Sequence, residues 1–179
     1  MKKNLITGLV LAGFALICAF LLSLVNSFTM KVIDARSKET IKESIAIVCP
    51  EYGTNKDNYE LDDSIVHNEQ KEVKSTYLIK EKSTGNIKYA VYIVDAQGYA
   101  STIEMMIAVN ALNQVEGYTV ISQSETKGNV SDYSVDDGFN MKNKSTLDDF
   151  EKLAGSTFSS KAVRKCFNIA LYLSYEDIK

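Results

Sequence analysis

The sequence is poor in the residues that build most catalytic and metal sites. It has one histidine, one proline and three cysteines among 179 residues. His67 lies in a polar segment with no cysteine near it, which favours a solvated side chain over a metal ligand. Cys18, Cys49 and Cys166 lack metal-ligand spacing. No histidine, cysteine or paired-carboxylate arrangement indicates hydrolysis or group transfer, so the sequence predicts no metal site and no catalytic residues of its own.

The two later cysteines leave two interpretations open. Cys49 and Cys166 could form a disulfide outside the cell, but residues far apart in sequence say little about proximity. Cys166 falls on the apolar face of a predicted helix, which favours a packed thiol.

Strong charge and low-complexity sequence are also lacking. The formal net charge is −3, and one proline and nine glycines mark no linker. A mildly acidic chain of this kind argues against nucleic acid or an anionic membrane surface as a partner. Beyond the N-terminal segment, about 150 residues remain, which is enough for one domain with its own core.

One long apolar run is present. Residues 5–25 carry no charge and are mostly apolar, a length that spans a bilayer core as a helix. Lys2 and Lys3 precede the run and place the N-terminus in the cytoplasm. A cleaved signal peptide is the alternative, although its apolar region is usually shorter. We expect residues 1–29 to be a single-pass transmembrane anchor and residues 30–179 an extracytoplasmic domain.

Periodicity predicts an α+β domain, an antiparallel sheet flanked by helices. A helix is expected over residues 30–48, ended by Pro50 and Gly53, and the polar residues 55–74 show no period. Strands and turns follow; the strands are 75–80, 89–94, 103–110 and 114–122, and the turns are 82–86, 95–98 and 111–113. Helices are expected over residues 146–153 and 161–172.

The segment before the last predicted helix is the most informative. Residues 151–161 read Glu-Lys-Leu-Ala-Gly-Ser-Thr-Phe-Ser-Ser-Lys. Gly155 permits unusual backbone dihedrals, and the hydroxyls of Ser156, Thr157 and Ser159 suit a helix cap or an anion. A phosphate here would meet unpaired N–H groups and the positive end of the helix dipole. These residues alone fit either an ordinary cap or a phosphate attachment site.

Four motifs in a fixed order carry a resemblance to a known family. They are a Gly-Tyr strand at residues 98–103, a strand–turn–strand up to residue 121, Glu-Thr-Lys-Gly at residues 125–128, and residues 151–159. The last resembles the signature Asp-x-x-Ser-Gly-Ala-Thr-x-Thr/Ser, at which FMN is esterified to threonine. The set resembles the flavin-carrying G subunit of the Rnf-type ion-translocating electron transport complex, and its relative, the C subunit of the sodium-pumping NADH:quinone reductase.

The resemblance implies a cofactor and its site. FMN would be bound covalently through a phosphoester to Thr157, and its ring would lie against the sheet and the Glu-Thr-Pro-Gly loop. The other implied cofactor-binding residues are Gly155, Ser156, Ser159, Glu125, Thr126 and Gly128. The chain departs from the family pattern at Ser101, Lys127, Glu151, Ala154 and Ser156. Tyr99 could stack on the flavin or pack on the sheet, and packing is the expectation.

The implied function is electron relay through this FMN within an Rnf-type ferredoxin:NAD oxidoreductase that moves sodium or protons. The protein would be a translocase subunit of the bacterial cytoplasmic membrane, with other membrane subunits and a flavin transferase as partners and no turnover alone. Two alternatives stay open. One is the equivalent subunit of the sodium-pumping quinone reductase. The other is a flavin-free, membrane-anchored envelope binding domain, which the departures from the motif favour.

Overall fold

The computed structural model describes residues 12–23, 39–125, 141–148, 150 and 157–178. The chain divides into two compact units after Lys42. The elements are helices α1 (within residues 12–23), α2 (39–48), α3 (Pro50–Thr54) and α4 (Thr157–Asp177), a 3-10 turn Lys56–Asn58, and strands β1 (Tyr59–Asp62), β2 (Val73–Glu81), β3 (Ile87–Gln97), β4 (Thr102–Asn110) and β5 (Val115–Ser122).

The predicted membrane anchor is only partly covered by the structure. Residues 12–23 are helical and their side chains are mostly exposed. Among the described residues, no helix combines the length and apolarity that a membrane crossing requires. The rest of the predicted span, and the expected domain boundary after residue 29, lie outside the described residues.

The five strands form one antiparallel sheet in the order β1-β2-β3-β4-β5. All four predicted strands are confirmed, each within two residues at its start and three at its end. β3 is central, and residues 89–94 are buried on both faces of the sheet. Continuous apolar strands of this kind need a cover on each side. The fold supplies one helix layer per face, so the predicted α+β class is confirmed.

Helix α4 covers one face of the sheet. Its buried side chains include Val163, Cys166, Phe167, Ala170 and Leu171, which share a core with Tyr92, Met105 and Ile107. Their spacing is that of an amphipathic helix, as predicted. Cys166 is free, as is Cys49, and both thiols are buried. The packed thiol is therefore confirmed and no disulfide forms; burial raises the pKa of Cys166 to about 12.

Helices α2 and α3 cover the opposite face. Ile45, Val48 and Tyr52 are buried there, as are the sheet residues Val91 and Met106. α2 ends at residue 48, before Pro50, as predicted, and residues 30–38 of the predicted helix lie outside the described residues. Pro50 then occupies the first turn of α3, with Cys49 as the break between the two helices. Proline suits that position since its fixed φ is helical and its missing N–H needs no partner there.

The polar segment 55–74 contains an element that the sequence did not indicate. β1 pairs antiparallel with β2, with Leu61 opposite Ile79. Only Tyr59 of β1 is buried. A short polar edge strand has no alternation to detect, which explains why residues 55–74 show no period in the sequence.

His67 is not the solvated side chain that we expected. Its side chain is 15% exposed, and its Nε2 lies 3.0 Å from Asp177 Oδ2 near the end of α4. The buried Tyr92 hydroxyl donates to the same oxygen at 2.7 Å. The loop before β2 is therefore tied to α4 and to the sheet by one shared carboxylate.

Three local expectations need correction. β3 continues through Gln97, so the predicted turn at residues 95–98 is instead at residues 98–101, where Gly98 N donates to Ser101 O at 2.9 Å. Residues 145–148 form bends and a turn rather than a helix, and residues 151–153 lie outside the described residues. α4 begins at Thr157, four residues before its predicted start. The turns at 82–86 and 111–113 are confirmed, with positive φ at Gly85 and Asn113.

Candidate functional site

The start of α4 presents one hydroxyl outward and buries the next two. Thr157 is exposed, whereas Ser159 and Ser160 are buried. Thr157 is therefore the described hydroxyl of this turn that a modifying enzyme can reach. The carried-over residues Gly155, Ser156, Thr126 and Gly128 lie outside the described residues.

Glu125 connects the start of α4 to the turn between β3 and β4. Its Oε2 accepts hydrogen bonds from Tyr99 N at 2.9 Å and from Ser159 Oγ. Its Oε1 accepts from Ala100 N at 3.0 Å and from Ser101 N at 2.9 Å. Three segments that are distant in sequence thus meet at a single carboxylate.

Ser101, which departs from the family pattern, belongs to the same hydrogen-bond network. Its hydroxyl lies 3.3 Å from Glu125 Oε1 and accepts from Ser124 N at 2.8 Å. A side chain at this position therefore adds a link between the turn and the chain that leaves β5. The substitution is compatible with the site, since the added hydroxyl has both a donor and an acceptor partner.

The electrostatics keep Glu125 ionised at neutral pH. Burial alone would raise its pKa, but the hydrogen bonds from Ser159 and from the backbone of residues 99–101 outweigh that effect and lower the pKa to about 2. A carboxylate that accepts several backbone N–H bonds behaves in this way. Gly98 makes the approach possible, because a Cβ there would lie 2.6 Å from Glu125 Oε1.

Two exposed aromatic rings meet at the start of α4, one of them on Phe158, the residue that follows Thr157. Tyr99 is 62% exposed and Phe158 is 60% exposed, and their ring centroids are 6.1 Å apart. Lys161 Nζ lies 5.9 Å from the Phe158 ring centroid. The expected packing of Tyr99 on the sheet is wrong, because its ring projects from the turn towards α4. The pair forms an exposed aromatic surface between the β3–β4 turn and α4.

The sequence pointed to some of these residues and missed others. Glu125, Ser159 and Thr157 were candidates, and the structure places the first two in contact. Phe158 and Lys161 were missed, although an aromatic residue off the buried stripe of an amphipathic helix is a signal for them. Within the part of the chain that the structure describes, no group of side chains has the composition of a metal site.

Comparison with known families agrees with the motif assignment. Residues 98–172 match the family model of the FMN-binding domain, which contains the β3–β4 turn, Glu125 and the start of α4. Residues 1–47 match the model of the RnfG N-terminal region. The resemblance that the ordered motifs carry is thereby confirmed, and FMN is supported as the cofactor of the matched region.

Two curated relatives extend the comparison. The chain is 31% identical over 127 residues to the G subunit of the ion-translocating oxidoreductase complex of Cereibacter sphaeroides, covering 71% of this chain and 57% of that protein. It is 27% identical over 104 residues to the G subunit of the proton-translocating ferredoxin:NAD(+) oxidoreductase complex of Clostridium ljungdahlii, covering 51% of this chain and 56% of that protein. The chain spans a little over half the length of these relatives.

Proposed function

We propose that this chain, a relative of the G subunits of ion-translocating oxidoreductase complexes, is a flavoprotein subunit that relays electrons through FMN bound covalently at Thr157. Its similarity to two G subunits and to the FMN-binding domain supports the cofactor and the class of complex. The observation that carries the site is the exposed hydroxyl of Thr157 at the first turn of α4, inside the matched region.

The attachment forms a bond between Thr157 Oγ1 and the phosphorus of FMN. The threonine hydroxyl loses its proton and the phosphorus loses one oxygen substituent, so the chain gains the mass of FMN less one water. A phosphate on Thr157 would lie at the start of a 21-residue helix, where N–H groups lack intrahelical partners and the dipole favours negative charge. Gly155, Ser156, Thr126 and Gly128 stay candidates for the remaining contacts.

The aromatic surface made by Tyr99 and Phe158 is the described surface best suited to the flavin ring. Ring faces prefer offset or tilted neighbours, and the Lys161 ammonium adds positive charge next to Phe158. Bound FMN would supply the electron-transfer chemistry. The protein would supply position and electrostatic environment.

The relatives support a proposal for the wider assembly. By analogy with the proton-translocating ferredoxin:NAD(+) oxidoreductase relative, the chain would exchange electrons with neighbouring subunits and have no turnover alone. The apolar residues 5–25 would anchor residues 1–29 in the bacterial cytoplasmic membrane, with residues 30–179 outside. A flavin transferase would be the maturation partner.

Replacing Thr157 with alanine tests the attachment site. The Thr157→Ala protein, produced together with its flavin transferase, should lose all covalent flavin while the domain stays folded, because the exposed side chain contributes little to packing. Denaturing mass spectrometry and in-gel flavin fluorescence measure the loss. The control Thr157→Ser keeps a hydroxyl at the same position and should retain some fluorescence.

Flavin retained at full level in Thr157→Ala would show that another hydroxyl is the acceptor. A dark, unmodified band from the unaltered chain under the same conditions would instead favour the flavin-free binding domain. The departures at Glu151, Ala154 and Lys127 would then explain why the transferase does not act on it.

A further inference from the structure

We propose that Glu125 is a positioning residue whose carboxylate clamps the β3–β4 turn to the first turn of α4, and so holds the Tyr99 ring beside Phe158, the residue that follows Thr157. The resemblance implied that Glu125 contacts the flavin itself. The geometry assigns it a different task, which rests on the proposed function only in its effect on the cofactor.

The carboxylate of Glu125 has little capacity left for a ligand. A carboxylate offers about four lone-pair sites. Oε2 is taken by Tyr99 N and Ser159 Oγ, and Oε1 by the two amides that follow, with the Ser101 hydroxyl at 3.3 Å as a further partner. Protein donors therefore occupy both oxygens, and the side chain points into the protein network.

The clamp supplies a link that apolar packing does not. α4 rests on β3 and β4 through the apolar core, and contacts of this kind are non-directional. The hydrogen bonds from residues 99–101 and from Ser159 are directional and charge-assisted. They fix where the turn stands relative to the helix, and hence where the Tyr99 ring stands relative to Phe158.

The chain around Glu125 holds the carboxylate in place. Glu125 N donates to the side-chain oxygen of Gln123 at 2.7 Å, and Ser124 N donates to Ser101 Oγ at 2.8 Å. Gly98 leaves the space that the carboxylate occupies. The exit of β5, the turn and the helix start are thereby locked as one unit.

Two variants test the clamp, and both are made in the full chain produced with its flavin transferase. One alters the carboxylate itself, and the other removes only its bond to α4. Glu125→Gln removes the charge and replaces one acceptor oxygen by a donor, while Ser159→Ala removes only the bond to the helix. Glu51→Gln is the matched control, because Glu51 also accepts hydrogen bonds from several donors but belongs to α3 and contacts Tyr59, Tyr89 and Lys88.

Amide hydrogen exchange at residues 99–101 measures the clamp without reference to the cofactor. In Glu125→Gln we expect exchange there to accelerate by about tenfold or more, since bonds to a charged acceptor are stronger than neutral ones. In Ser159→Ala these amides should stay protected. The Glu51→Gln control should also leave them unchanged, although it lowers the stability of the domain.

The attached flavin supplies a second measurement. If Glu125 only stabilised the fold, the variants would not change the flavin spectrum. Visible circular dichroism of attached flavin reports a fixed ring orientation, and it should weaken in both Glu125→Gln and Ser159→Ala but not in Glu51→Gln. Faster exchange together with an unchanged flavin spectrum would overturn the positioning role. Unchanged exchange in Glu125→Gln would overturn the clamp.

A failure of the proposed function is distinguishable from a failure of the clamp. If the unaltered chain takes up no flavin, the proposed function fails. The exchange at residues 99–101 then decides the clamp by itself, faster exchange in Glu125→Gln supporting it and unchanged exchange refuting it.

Discussion

Two glutamates in this domain are held by several donors each, on different elements. Glu51 of α3 accepts from Tyr59 OH at 2.9 Å, from Tyr89 OH at 2.6 Å and from Lys88. The bond from Lys88, followed by those from Tyr89 and Tyr59, lowers the pKa of Glu51 to about 2. Glu125 reaches a pKa of about 2 with backbone and serine donors instead. In acid, both side chains therefore bind fewer protons in the folded protein than in the unfolded protein.

At the scale of residues, we predict that the domain becomes less stable as the pH falls. Both pKa values fall from an ordinary value of 4.5 to about 2, so the stabilisation is complete above about pH 4.5 and disappears as the pH falls towards 2. The free energy of unfolding, measured by urea titration, should decrease through that window. Glu51→Gln should be less stable at pH 7 and show a flatter acid limb.

Glu60, an exposed residue of β1, offers the matched control. Glu60→Gln should be as stable as the unaltered protein at pH 7, because an exposed side chain contributes little to the core. An acid limb in Glu51→Gln as steep as that of the unaltered chain would contradict a contribution of Glu51.

At the scale of elements, α2 and β5 approach each other closely at Gly117. A Cβ at Gly117 would lie 2.2 Å from the carbonyl oxygen of Val48. The obstacle is backbone rather than a flexible side chain, so the helix itself would have to move. Gly117 thus sets how near α2 stands to the sheet, and the buried residues Ile45 and Val48 depend on that distance.

Gly117→Ala should therefore destabilise the domain by about 1–3 kcal/mol, the usual cost of overpacking. Urea unfolding monitored by circular dichroism measures the change. Gly13→Ala is the control, because a Cβ at Gly13 has no heavy atom within 4 Å. An unchanged midpoint in Gly117→Ala would show that α2 shifts at no cost.

At the scale of the whole molecule, residues 43–179 hold the sheet, α3, α4 and the part of α2 from residue 43 to residue 48. The division after Lys42 places the buried residues of both sheet faces in the second unit. A unit with its own core folds without its neighbour. The acidic balance of the chain, with a net charge of −3, is consistent with a domain that stays dispersed in solution.

A protein of residues 43–179 should accordingly be soluble and unfold in one cooperative transition. Its urea midpoint should lie close to that of the domain in the full chain, measured by circular dichroism in the same detergent. A broad, non-cooperative transition in the shorter protein would show that the first 42 residues complete the core.

Much of the fold could be predicted from the sequence because local patterns and tertiary contacts agree. The apolar stripe of α4 and the four long strands have the periods of their elements, and Gly85 and Asn113 are residues that tolerate the positive φ of their turns. β1 was not predicted from the sequence because a polar edge strand lacks a buried face. The start of α4 was placed late because hydroxyl residues suit both a cap and a first helical turn.

The sequence by itself determined the α+β class and the order of the strands along the chain, since these depend on spacing and residue type. The candidate attachment threonine came from the resemblance of residues 151–159 to a family signature. Only the tertiary structure decided what Glu125 and Tyr99 do. Their partners lie 26 to 59 residues away, at Tyr99, Ser159 and Phe158. Contacts at such separations arise when a turn, a strand exit and a helix start converge, and no local period encodes that convergence.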